Sequence, residues 1–315
     1  MRTSLRAGLG AGLGAALLWI ALSRIDLGSA LVALRAAPPH YSLAALILYW
    51  GDIALRIARW RLLLNQNSRL SYRQVGQALI VGYAVNNILP ARLGEVFRAD
   101  FIGRQFGIGR VAALGSIVVE RMLDGIIVVG LLCLGLAIAP LEDPAGVLTG
   151  IALAGALGVV AGVAAMVALT FFHVRLPLDR MPWIKPRLLA LADAFAVLRS
   201  FALLPVVTLS AFIWLLECGA FDLIAMACGA SLNLPALCIT VGAASLSSLL
   251  PSAPGYLGSY QIAFVLAFSA LDLSAGAGVA AATLTQIVLL GSITLSGLAI
   301  LTLVTIVGRK KLKPS

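Results

Sequence analysis

The chain has 315 residues, of which 61% are hydrophobic and only 11% charged, with a mean hydropathy of +1.03. A soluble domain carries roughly 25% charged residues, so an aqueous globular domain is excluded and lipid is the expected solvent. The net charge of +10 does not point to nucleic acid, because the basic residues sit beside apolar runs as the positive-inside rule expects.

A bilayer core about 30 Å thick needs roughly 20 apolar residues per helical crossing. The first stretch of that length, residues 5–22, follows Arg2 and Arg6 and ends in Ala21-Leu22-Ser23. Those three residues loosely resemble a secretory cleavage site, but the length and the helices that follow predict an uncleaved first span. The second span covers 42–64 and carries Asp52 and Arg56 at i and i+4, a candidate intramembrane pair. Arg56, Arg59, Arg61, Arg69 and Arg73 around its end read as a cytoplasmic basic flank.

The next apolar run, 75–89, is too short to span and meets Asn86-Asn87, Pro90 and Gly94. Arg92, Glu95, Arg98 and Asp100 follow the break. Proline and glycine there cannot continue a helix and free backbone groups. Inside a bilayer such a break is tolerated only where protein or a wet cavity surrounds it. Because Arg73 and Arg110 both belong to cytoplasmic segments, residues 75–106 are expected to enter and return as a re-entrant hairpin. A helix restarting near Leu93 puts Glu95 and Arg98 on one face.

The third span, 111–139, holds Glu120, Arg121 and Asp124 about ten residues inside the apolar run, with Glu120 and Asp124 on one stripe. Charges at that depth cost roughly 3 kcal/mol each, so they are expected to face one another or a polar cavity. Glu142-Asp143 form an outer turn, and 147–172 is a fourth span. Residues 183–201 set Leu188, Leu191, Phe195 and Leu198 opposite Arg187, Asp193 and Arg199, predicting an amphipathic helix on the cytoplasmic surface.

The fifth span, 203–228, contains Glu217 and Asp222, further candidates for lining a cavity. Residues 235–270 repeat the short-run pattern around Pro251, Pro254, Gly255, Gly258 and Gln261, predicting a second hairpin that enters from the outside. The sixth span covers 278–307 and ends in the basic group Arg309, Lys310, Lys311 and Lys313. Cys133, Cys218, Cys228 and Cys238 lie in apolar segments without metal-ligand spacing and read as reduced core residues; no metal or cofactor is expected.

The expected fold is therefore one all-α polytopic membrane domain over 1–315. It has about six spanning helices and two oppositely oriented re-entrant hairpins forming an inverted repeat, as in transporters with midplane sites. Two full, kinked crossings are the alternative to the hairpins. Both termini come out cytoplasmic. Two compatible roles suit the first charged cluster: buried ion pairs that lock hairpin to span, or an anionic-headgroup site. In the second, arginines hold a phosphate by forked hydrogen bonds and carboxylates orient them.

Three ordered motifs carry a family resemblance. N-N-x-L-P-x-R-x-G-E-x-x-R at 86–98, S-x-V-V-E-R-x-x-D at 116–124 and P-S-x-P-G-x-x-G-x-x-Q at 251–261 resemble the flippase-like membrane region of the lysylphosphatidylglycerol synthase family. The resemblance implies a lipid flippase in a bacterial cytoplasmic (inner) membrane. It carries aminoacylated phospholipids or glycosylated polyprenyl phosphates, with a membrane lipid of anionic headgroup as its partner. It implies substrate-binding roles for Arg92, Glu95, Arg98, Glu120, Arg121 and Asp124, joined by Asn87. Pro90, Gly94, Pro251, Pro254, Gly255, Gly258 and Gln261 would serve the hairpins. Gln261 stands where many relatives carry Glu, which argues against proton coupling at that position. No soluble aminoacyl-transferase segment is present, so transport rather than catalysis is expected. A membrane enzyme acting on a polyprenyl phosphate or phospholipid, or a small-solute secondary transporter, are the alternatives. His40 and His173 are both remote in sequence from the carboxylates, which disfavours the first of these.

Overall fold

The computed structural model of the protein describes residues 32, 34–64, 70–89, 93–139, 146–172, 185–249 and 254–311, and every regular element among them is helical. The expected span over 5–22 lies outside the described residues, as do Pro90, Arg92 and Pro251.

The helices are α1 (Pro39–Leu64), α2 (Tyr72–Ile88), α3 (Leu93–Phe106), α4 (Arg110–Ile138), α5 (Val147–Phe172), α6 (Lys185–Ala194), α7 (Leu203–Ala227), α8 (Leu234–Ser247), α9 (Ser259–Ala270), α10 (Ala275–Thr285) and α11 (Gly291–Lys311). A π turn, Gln286–Leu290, joins α10 to α11 in one continuous rod. Among the described residues, five helices are long and apolar enough to cross a membrane: Pro39–Leu64, Arg110–Ile138, Val147–Phe171, Leu203–Ala227 and Ala275–Val304. They coincide with five of the six expected spans.

Local chemistry sets the boundaries. Ser71 and Gln74 close a capping box that starts α2. Leu89 leaves the helix in an extended conformation (φ −99°, ψ 140°), which the residue before Pro90 must adopt. Ala139 does the same before Pro140 at the end of α4 (φ −88°, ψ 137°). Gly107, at φ +75°, ends α3 in the left-handed conformation that glycine adopts without strain. The amphipathic segment is a regular helix only to Ala194. It then tightens into a 3₁₀ turn over Phe195–Arg199, with Phe195 buried and Arg187, Asp193 and Arg199 exposed.

The short helices are too short to cross on their own. At 1.5 Å per residue, the 17 residues of α2 and 14 of α3 reach about 26 and 21 Å. The two pack as an antiparallel pair. A Cβ on Gly94 would collide with the Gly82 carbonyl oxygen, and one on Gly82 would lie 2.8 Å from Arg98 Cβ. Only glycine permits that approach. Likewise α8, with 14 residues, packs on α9, with 12, and α9 on α10.

Around these pairs α1 lies along α7, α4 along α8, and α11 along α2. Small residues make the contacts close, as is usual where no hydrophobic contrast drives helices together. A Cβ on Gly242 would sit 2.7 Å from Leu132 Cβ, and one on Gly135 would sit 2.6 Å from Ile239. α5 is held least, with Leu153, Leu157 and Val160 each over 60% exposed. Large apolar side chains facing outward in this way suit a hydrocarbon surround.

Candidate functional site

Charged side chains from four helices meet inside the bundle. Arg98 of α3 donates to Glu120 of α4 at 2.6 Å, and its guanidinium lies 3.4 Å over the Trp60 ring. Glu120 also lies 3.5 Å from Arg59 of α1. Arg59 forks onto both oxygens of Asp124, at 2.7 and 3.1 Å, and donates to Ser210 of α7 at 2.8 Å. Trp214 of α7 donates to the same Asp124 at 3.2 Å. Arg56 donates through Nε to Asp52 at 2.8 Å and through Nη2 to Glu217 of α7. It also approaches Asp124 to 3.7 Å. Arg121 lies 3.1 Å from Asp124 and 3.9 Å from Glu95.

Among the described residues, this is one connected network of four guanidinium groups (Arg56, Arg59, Arg98, Arg121) and four carboxylates (Asp52, Glu120, Asp124, Glu217), with Glu95 at its rim. Burying such groups singly is costly, so each charge is met by an opposite one. Arg121 differs from the others in exposure, with its side chain 27% exposed; its Nε and Nη2 have no hydrogen-bond partner, as is also true of Nε in Arg59 and Arg98, and its Nη2 meets Asp124 as an ion pair.

A cavity of about 710 Å³ opens beside the network. Its polar wall holds Asp52 and Arg56 from α1, Tyr83, Asn86 and Asn87 from α2, Arg121 and Asp124 from α4, and Glu217 from α7. The rest is mainly apolar, with Ile151 and Ala154 of α5, Leu246 of α8 and Ala263 and Leu266 of α9, interrupted by Ser245 and Ser247 of α8 and Ser259 of α9. Tyr256 and Tyr260 also line it.

The structure brings Glu95, Arg98, Glu120, Arg121 and Asp124 together, and adds Asp52, Arg56 and Glu217 to the same network. Arg98 and Glu120 lie behind the cavity wall and do not line it. Asp222 also stays off the wall. Five residues after Glu217, it points to another side of α7, and its Oδ1 accepts no hydrogen bond. Asp100 serves the far end of α3, where it pairs with Arg104 and Arg110 at 2.6 Å each.

Asn87 donates to Thr294 Oγ1 at 2.9 Å and to the Leu290 carbonyl at 3.3 Å, at the π turn where the regular ladder is broken. Asn86 accepts from the Gly94 amide at 2.7 Å and holds the start of α3. In the second break, Pro254 opens a turn in which Gly255 (φ +71°) and Gly258 (φ +87°) take left-handed conformations. Gln261 accepts from the Gly258 amide at 2.9 Å and donates to Gln286 at 2.7 Å; Gln286 donates to the Gly255 carbonyl at 2.8 Å. Gln261 is thus a satisfied amide that clamps the turn to the π turn.

Sequence reasoning missed Arg59. It was grouped with the cytoplasmic flank, yet its side chain is 0% exposed at the centre of the network. Positions 52, 56 and 59 follow i, i+4, i+7 spacing, a single helical stripe that could have joined it to its neighbours.

The lysylphosphatidylglycerol synthase TM region matches residues 7–297. A UPF0104 membrane protein of Methanothermobacter thermautotrophicus (strain Delta H) is 33% identical over 95 residues, which is 29% of this chain and 28% of that protein. No solved structure matches. The match from residue 7 into α11 takes in four of the five long helices whole and most of the fifth, both short pairs and every member of the charged network. The chain is a multi-pass membrane protein and belongs to the family of the lysylphosphatidylglycerol synthase transmembrane region.

Proposed function

We propose that this protein moves a phosphate-bearing lipid, a glycosylated polyprenyl phosphate or a phospholipid, between membrane leaflets. The observation that carries the reading is the division of the cavity into a charged wall and an apolar wall. A headgroup phosphate can lie against Arg121 and Arg56 while acyl or prenyl chains follow the apolar side. Arg121 is the most exposed of the four arginines, and a phosphate there would compete with Asp124 for its Nη2. A guanidinium fork matches two phosphate oxygens, as an ammonium cannot.

The reading is carriage without chemistry on the lipid. Each carboxylate on the wall is engaged by an arginine, Asp52 and Glu217 by Arg56 and Asp124 by Arg59, so none stands ready as a general base. We further propose that α2–α3 and α8–α9 are re-entrant pairs of opposite orientation, in a bacterial cytoplasmic membrane with both termini inside. The shortness of these helices supports re-entrance, and the basic residues flanking the apolar runs support the orientation.

The test is reconstitution into liposomes with fluorescent phosphatidylglycerol and a leaflet-selective quencher. Wild type should accelerate exchange between leaflets. Arg121→Ala should lose at least tenfold in rate while remaining monodisperse, and Arg121→Lys should recover little. Full activity in a well-folded Arg121→Ala protein would remove the headgroup site.

A further inference from the structure

We infer that the cavity takes up one proton together with the lipid phosphate, and that Glu217 receives it. The inference rests on the lipid-carrier reading and adds the ion that accompanies the headgroup.

The first support is charge. Among the described residues lining the cavity, Arg56 and Arg121 are opposed by Asp52, Asp124 and Glu217. Arg59, behind the wall, forks onto Asp124 and brings the set to neutrality, and Glu95 at the rim faces Arg121, so nothing in the set is left positive. The wall therefore has no spare positive charge for an anion. A phosphate bound there in a low-dielectric site would remain uncompensated, and a buried uncompensated charge is strongly disfavoured. Uptake of a proton by one of the three carboxylates restores neutrality.

The second support is geometry, which selects the carboxylate. Asp124 is held on several sides, by Arg59, Arg121 and Trp214. Asp52 sits 1% exposed against Arg56 Nε, one turn away on its own helix. Among the described residues Glu217 pairs with Arg56 Nη2 alone, and it is the most exposed of the three, at 16%. A phosphate oxygen that accepts from Nη2 displaces this one, and the freed carboxylate then takes the proton. The charged and titratable groups around it are Tyr49, Asp52 and Arg56 of α1, Tyr83 of α2, and Arg121 and Asp124 of α4; Cys218 follows it on α7. Tyr256 and Tyr260 line the same cavity from the second turn and α9. Gln261, by contrast, carries no titratable group and is committed to its clamp.

The experiment uses the full chain in neutral detergent and weak buffer. Binding is read by calorimetry and proton exchange by an indicator dye. The probes are dihexanoyl phosphatidylglycerol, the matching phosphatidylcholine and phosphatidylethanolamine, and glycerol 3-phosphate as the soluble source of a phosphate. The expected result is uptake of about one proton per bound phosphatidylglycerol, with affinity falling up to about tenfold per pH unit as pH rises through the range where Glu217 is charged when empty. Glu217→Gln should bind phosphatidylglycerol with no proton uptake and less than about twofold change in affinity between about pH 6 and 8. Phosphatidylglycerol binding by wild type without proton exchange overturns the inference and leaves the lipid reading standing. This arm needs no variant to fold. Uptake that persists in Glu217→Gln overturns the assignment to that residue. Tight phosphatidylethanolamine binding alone would mean that a headgroup ammonium, and no proton, meets the third carboxylate. Binding of glycerol 3-phosphate alone, or of none of the probes, removes the lipid reading and this inference together.

Discussion

Buried arginines in this protein divide by what surrounds them. Arg59 and Arg98 have side chains only 0% and 2% exposed; Arg98 ends on Glu120, itself 0% exposed, and Arg59 on Asp124, 9% exposed at the cavity wall. Removing either leaves Glu120 or Asp124 without its main partner in the interior, at a cost of about 3–5 kcal/mol. Arg59→Ala and Arg98→Ala are therefore expected to lower the melting temperature sharply, or to fail in size-exclusion chromatography, before any transport assay can be read. Arg121→Ala, at the cavity, should leave thermal stability close to wild type. Equal stability of Arg98→Ala and wild type would mean that the Arg98–Glu120 pair and the Trp60 stack are not structural. The charges themselves were legible in sequence, since Asp52, Glu120, Arg121, Asp124 and Glu217 lie deep inside apolar runs, but their division was not: Arg98 and Arg121 carry the same expected role. Arg59 was not legible, because near the end of a span the positive-inside rule offers a competing and usually correct reading of an arginine. Nor could residue order tell that Arg98 would stack on Trp60, a contact made between separate helices.

At the scale of elements, breakers and caps made the two interrupted regions visible, and α2 and α3 begin and end near where the sequence placed them. The closeness of the pair was not visible, since it depends on Gly82 and Gly94 facing each other across the turn. Gly94→Ala should prevent that approach, because its Cβ would meet the Gly82 carbonyl and lie 2.5 Å from Asn86 Oδ1. Overpacking of this kind costs about 1–3 kcal/mol or more, and here it would also break the Asn86–Gly94 hydrogen bond. A thermal-shift measurement should register the loss, whereas Gly130→Ala, where nothing lies near the added carbon, should be silent. Re-entrance itself is tested by labelling. Single cysteines at Arg73 and Arg110, in a background without the native four, should both react from the cytoplasmic side. Labelling from opposite faces would make α2–α3 a full crossing and end the inverted-pair reading.

At the scale of the molecule, five of the six expected spans were legible from apolar runs, with their lengths, but their neighbours were not. A helix such as α5 is apolar all round and has no polar face to say which side turns inward. The central ion pair joins Arg56 to Glu217, 161 residues apart, a proximity no local pattern announces. The assembled bundle nevertheless has a clear asymmetry. Charged α1, α4 and α7 with polar α2 form one side of the cavity, and mainly apolar α5, α8 and α9 form the other. If lipid chains enter from the bilayer, they must pass the side that is least firmly held, and α5 is that side. A Cβ at Gly155 of α5 would lie 3.4 Å from Leu246 Cδ1 of α8, so cysteines at these two positions can be bridged by a short crosslinker. Joining them should tie α5 to α8 across the apolar wall and reduce leaflet exchange at least tenfold. The same double variant left unbridged should exchange lipid at close to the wild-type rate, and a bridge that is cleaved should restore it. Undiminished exchange in the fully bridged protein would show that the chains reach the cavity by another route, and the parting of α5 from α8 would have no part in transport.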